Sequence, residues 1–223
     1  MSRIDLYGFL GAAIGLLFGM IGHEYAHARA AVSLGDQTPR FMGRLTMNPK
    51  AHLDPFGTII MPGVFLISLL FKSTFGFFFG YAKPVTINPG RLRNPRRDAM
   101  LVALAGPGFN LAVAITAGIS FRIVTPALED KFFSASADLG DWRRALLLVT
   151  IVNSFLFIIN ILPIPPLDGS KILARFLSPT AAMKMEEFGQ YLIFVLIAFF
   201  LFFQGVLDNM GRAIYGPILG PPF

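Results

Sequence analysis

The chain has 223 residues, 54% of them hydrophobic and 14% charged, with a mean hydropathy of +0.63. That balance excludes an ordinary soluble domain and indicates a polytopic membrane protein, read as one membrane-embedded domain over 1–223 with a core at 4–178. The formal charge of +6 falls in short loops between apolar runs, with no aromatic-interleaved basic stripe, so it reads as a topology signal and no nucleic-acid partner is expected.

The first apolar segment, about Ile4 to Leu34, is long enough to span a bilayer, the expected surroundings of the chain. It is too long for a cleavable signal peptide. Gly11, Gly15 and Gly19, at four-residue spacing, would let another helix approach closely. Toward its far end, roughly 30 Å from its start at 1.5 Å per residue, stands His23-Glu24-Tyr25-Ala26-His27. Histidines four apart share a helix face, so both imidazoles can grip one zinc ion, and Glu24 between them can reach a water on that metal. Ionisable groups at membrane depth are costly unless paired or functional, which weighs against two stray histidines.

Residues 35–54 form a polar connection whose prolines forbid a continuous helix; a short extended or hairpin piece is expected there. His52 and Asp54 lie close in sequence to the histidine pair, so a supporting or gating role competes with that of solvated loop residues. A second apolar stretch covers 55–82, broken at Pro62-Gly63 and rich in phenylalanine, and 83–97 is strongly basic. The third apolar segment, about Asp98 to Val124, contains Ala105-Gly106-Pro107-Gly108-Phe109-Asn110. Pro107 is expected to kink it, and Asn110 to serve either as a bundle-facing hydrogen-bonding group or in substrate handling.

An acidic loop at 125–142 precedes a fourth helix, Arg143 to Ile159, which ends in Asn160-Ile-Leu-Pro163-Ile-Pro165-Pro166-Leu167-Asp168-Gly169. Three prolines in four positions break a helix, and irregular backbone at that depth persists only where protein or a cavity covers it. Asp168 can therefore turn inward, although Asp-Gly is also a common turn pair. A C-terminal helix is expected at 186–208, followed by a loose tail over 212–223.

If Asp168 joins the two histidines, the first and fourth helices run parallel and the third runs opposite. The 55–82 stretch must then leave and return on one side, and at 28 residues it is too short for two spans of about 20 each. A re-entrant hairpin is the reading. Basic residues in 35–54, 83–97 and 169–185 put the site toward the cytoplasmic face of the cell membrane. The fold class is thus an all-α polytopic membrane protein. It is a bundle of four to six transmembrane or re-entrant helices, with a broken helix carrying the third metal ligand.

The chain has no cysteine, so a metal must be held by histidine and carboxylate. His23, His27 and Asp168 leave a fourth zinc position for water, the arrangement of a catalytic site. Glu24 is placed to take that water's proton, and Asn160 is the candidate donor to the developing oxyanion. With these residues in view, the chain resembles the site-2 protease family of intramembrane zinc metalloproteases. His23-Glu24-x-x-His27 matches its zinc motif, and Asn160-x-x-Pro163-x-x-x-Leu167-Asp168-Gly169 its second motif, where the aspartate is the third ligand. Ala105-Gly106-Pro107-x-x-Asn110 is similar to a motif in the helix between them. The resemblance implies one zinc per chain and cleavage of peptide bonds within transmembrane helices of membrane-protein substrates. It is closest to a compact prokaryotic form without a PDZ-like domain. Two other functions compete. An inactive zinc-binding chaperone or binding module is opposed by the intact Glu24. A metal transporter would need ionisable residues through the bilayer and not at one level.

Overall fold

The computed structural model describes residues 6–52, 84–125, 142–202 and 204–219. The re-entrant reading of 55–82, Asp54, Lys83 and the acidic residues 126–141 lie outside them. Among the described residues every regular element is helical.

Helix α1 spans Leu6–Ser33. It stops where Gly35 takes φ 117°, a conformation that costs a glycine little. Gly35 N–H then donates to Val32 O and Asp36 N–H to Ala31 O, the paired bonds that close a helix through a left-handed residue. Two single-turn helices follow, α2 (Thr38–Phe41) and α3 (Pro49–His52), where an extended or hairpin piece was expected. Each has a proline in its first turn, where the missing N–H has no intrahelical partner anyway, so these prolines start helices as readily as they end them.

Helix α4 runs over Pro95–Val124 and α5 over Trp142–Ile161. Both are long and apolar enough to cross a membrane. The α4 assignment continues through Pro107. After α5 come the short α6 (Asp168–Ala174), α7 (Pro179–Phe202) and α8 (Gln204–Leu219). Residues 212–219, expected as loose tail, belong to α8. The reason is tertiary. Tyr215 and Leu219, one turn apart, pack with Phe121 and Leu147.

Two compact units make up the chain, each assembled from separate stretches. The first comprises Met1–Gly19, Gly108–Ile159 and Phe203–Phe223. Here the small-residue stripe on α1 meets α5: a Cβ at Gly15 would stand 3.0 Å from Val149 Cα, and one at Gly11 would run into the Ala145 backbone. Buried Asn110 donates to Gly19 O at 3.0 Å and to Asn153 Oδ1 at 3.2 Å; Asn153 Nδ2 donates to Gly15 O at 3.0 Å.

The second unit comprises Met20–Pro107 and Asn160–Phe202. Its apolar core includes Ala31, Leu92 and Val102. The turn after α1 is tied to residues 88–93 through buried Asp36, which accepts from Thr38 N–H at 2.9 Å and Asn88 N–H at 2.7 Å. Arg93 N–H closes the same join on Leu34 O.

Candidate metal centre

All elements of the site lie in the second unit. His23 and His27 project from one face of α1, as four-residue spacing requires, with their rings 4.5 Å apart and nearly perpendicular. Asp168 opens α6, seven residues after α5 ends. Gly169 seats that start: a Cβ there would collide with the carbonyl oxygens of Ile161 and Leu162. The three side chains converge on one point. His23 Nε2 is 3.0 Å and His27 Nε2 2.9 Å from Asp168 Oδ2, and the two Nε2 atoms are 2.9 Å apart. All three residues are buried, and among the described residues they are the sole such group of His and carboxylate donors.

Two imidazole nitrogens and one carboxylate oxygen are also the donor set of a cation site. His27 Nδ1 lies 2.7 Å from Val102 O, and a carbonyl can only accept, so Nδ1 carries the ring proton. In its neutral form that ring presents a lone pair at Nε2, beside the Asp168 carboxylate. Two acceptors at 2.9 Å repel unless a proton or a metal cation lies between them. A divalent metal removes the conflict, and the carbonyl bond on the remote nitrogen is the usual way a ligating imidazole is oriented. Ligand atoms about 2.0–2.1 Å from a tetrahedral zinc stand roughly 3.3 Å from one another, so the observed spacing is a few tenths of an ångström short of it.

Gly106 adds a second fit. A Cβ there would come within 2.6 Å of His23 Nε2 and closer still to His27 Nε2. Glycine thus leaves open the space in front of both candidate ligand nitrogens. Glu24, between the histidines, accepts Val85 N–H on Oε2 at 2.8 Å, so the irregular backbone at 84–88 meets the helix beside the cluster. Lys171 Nζ sits 3.1 Å from Asp168 Oδ1.

Over 189 residues, covering 84% of this chain and 78% of the relative, it is 34% identical to a Bacillus subtilis protein named "Putative zinc metalloprotease YwhC". The chain belongs to peptidase family M50. This is the site-2 protease family, and the M50 family model matches residues 121–203 directly. Two proteins named "Putative zinc metalloprotease Rip2" are similar at lower identity. The Mycobacterium tuberculosis protein (strain H37Rv) is 29% identical over 86% of this chain and 67% of its own length. The Mycolicibacterium smegmatis protein is 30% identical over 85% and 67%. No solved structure matches the chain. As an M50 peptidase the protein is a zinc metalloendopeptidase, and the donor set around His23 suits that metal.

The remaining residues singled out in the M50 sequence separate by position. Asn160 lies half-buried in the last turn of α5, eight positions before Asp168. His52 is buried in α3 and holds its own loop, with Nε2 donating to Thr46 O at 2.8 Å. Asn110 is in the first unit, bonded to Gly19 and Asn153. Sequence reading missed Val102, Val85 and Lys171, and missed what Gly106 does. Val102 and Val85 act through backbone atoms, which no side-chain pattern announces. Lys171 was readable, since it stands three residues after Asp168 on a short helix.

Proposed function

We propose that this M50 peptidase is an intramembrane zinc metalloprotease. In this reading it hydrolyses peptide bonds within or near transmembrane helices of membrane-protein substrates, with its site toward the cytoplasmic face. His23, His27 and Asp168 hold the zinc. The observation that carries the assignment is the convergence of a tautomer-fixed imidazole, a second imidazole and one carboxylate oxygen within 3.0 Å, all buried. Bound there, zinc supplies Lewis acidity toward a peptide carbonyl and makes water a stronger nucleophile near neutral pH.

The chain's own groups do the rest. Glu24 takes a proton from the attacking water and returns it to the leaving amine. Its carboxylate is steadied for this by Val85 N–H, and it lies one residue from His23 and three from His27. Asn160 supplies an amide N–H to the developing oxyanion. The bilayer reading rests on two helices of spanning length and composition, α4 and α5, together with the overall apolar composition. In that setting a substrate helix must unwind locally before its carbonyls can be attacked, which favours substrates with Gly, Pro or Asn inside the spanning segment.

Glu24→Gln tests the mechanism, because glutamine keeps the size and the bond from Val85 but cannot accept the proton. Cleavage of a model transmembrane peptide should fall by about 10²–10⁴-fold, with zinc per chain unchanged by metal analysis. Undiminished turnover in zinc-loaded Glu24→Gln would remove the protease mechanism and leave a zinc-binding module. Orientation is checked by Asn94→Cys, possible because the chain has no native cysteine. The thiol should resist an impermeant reagent in intact cells and react after lysis. Labelling from outside would overturn the cytoplasmic placement.

A further inference from the structure

Asp168 divides its two oxygens between two kinds of partner. Oδ2 faces both imidazoles, at 3.0 Å and 2.9 Å, and Oδ1 accepts from Lys171 Nζ at 3.1 Å. The division follows from α6. Asp168 is its first residue and Lys171 lies three on, so the ammonium meets the carboxylate on one helix face. Because Gly169 seats the start of α6 against the carbonyls of Ile161 and Leu162, this face is fixed in direction.

Stability does not explain the pair. The Lys171 side chain is 50% exposed, and ion pairs at that exposure contribute little. Tighter metal binding does not explain it either, since a cation beside the site opposes a divalent ion. What the contact does is withhold an oxygen. A carboxylate with both oxygens unclaimed can present both to a metal, whereas one whose Oδ1 is bound to an ammonium presents a single atom.

We propose that Lys171 is a positioning residue that keeps Asp168 to one oxygen toward the metal, so that two histidines and one oxygen leave a position for water. This rests on the zinc site proposed above and goes beyond it by assigning Lys171. Lys171 touches neither metal nor substrate in this account and acts only through Asp168.

The full-length protein loaded with cobalt(II) in place of zinc tests it, because the visible absorption of cobalt(II) is intense when four-coordinate and much weaker at higher coordination. Wild type and Lys171→Arg should share the intense band. Lys171→Met, which keeps the stem and loses the donor, should show a several-fold weaker one as Oδ1 joins the metal. Equal bands in all three proteins would overturn the positioning role, and so would Arg and Met variants weakened alike. If wild type takes up no cobalt, the metal site itself fails and Lys171 has nothing to position; that result is distinguishable because it appears before any substitution is made.

Discussion

Each of the two units has a buried polar centre, and the two centres are built on opposite principles. In the first unit, amide donors meet amide and carbonyl acceptors: Asn110 to Gly19 O and Asn153 Oδ1, Asn153 to Gly15 O. Donors and acceptors match, so the centre is complete as protein and holds α1 to its neighbours. In the second unit, His27 Nε2, with its proton committed at Nδ1, faces a carboxylate oxygen, with a second imidazole beside both. Two imidazoles and a carboxylate converge there, the donor set of a cation site. Burial is similar in both; what distinguishes the candidate site from the brace is the kind of donor.

The comparison breaks first at Gly106. If the space before the two Nε2 atoms belongs to a metal, Gly106→Ala should weaken zinc binding by at least about tenfold in chelator competition, the scale on which a disturbed metal surround acts. The α4 helix itself should tolerate alanine, which is the better helix former. Full zinc affinity in Gly106→Ala would mean that the convergence is only a hydrogen-bonded cluster.

The first centre gives a smaller and different response. Asn153→Ala removes the side-chain donor to the Gly15 carbonyl and one acceptor of Asn110, which keeps Gly19 O, and should cost about 1–2 kcal/mol in detergent unfolding, the upper range for hydrogen bonds between membrane helices. Zinc per chain should remain that of wild type. Loss of zinc with unchanged stability would reverse the roles assigned to the two centres.

A pH-dependent effect is expected at Asp36, a buried carboxylate that is structural although it belongs to the unit with the candidate metal centre. Burial alone would raise its pKa. The hydrogen bonds from the Thr38 side chain and from the Asn88 and Thr38 N–H groups, with Arg91 nearby, outweigh burial and hold it below the usual carboxylate range. A depressed folded-state pKa means that the stability it contributes is fully present above the unfolded value, about 3.9, and is lost as pH falls through the folded value. Asp36→Ala should therefore be destabilised by about 1–2 kcal/mol at pH 7, with the gap to wild type narrowing below about pH 4. A gap that widens on acidification would contradict the bonding described here.

Much of the fold was legible because helices announce themselves locally. The apolar runs predicted α1, α4 and α5 to within a few residues, and His23, Glu24 and His27 were readable as a unit because 3.6 residues per turn fixes their common face. Where local rules are permissive the reading was incomplete. Prolines expected to forbid a continuous helix over 35–54 also start the single-turn α2 and α3, and a Gly/Pro-rich end expected to be loose is helical to Leu219 because its apolar face finds Phe121 and Leu147.

Sequence by itself indicated the membrane character, the candidate donor chemistry and the helix that carries two candidate donors, since these depend on composition and on separations of a turn or less. It could nominate Asp168 only through a proline-broken helix end and a motif, because 141 residues separate it from His27 and no local rule spans that distance. Tertiary structure alone decided that Val102 O sets the His27 tautomer, that Gly106 keeps the ligand space open and that Asn110 closes on Asn153. A backbone carbonyl has no side-chain identity to read, the use of a glycine depends on what approaches it, and an amide's role depends on whether its partner brings a proton or another lone pair.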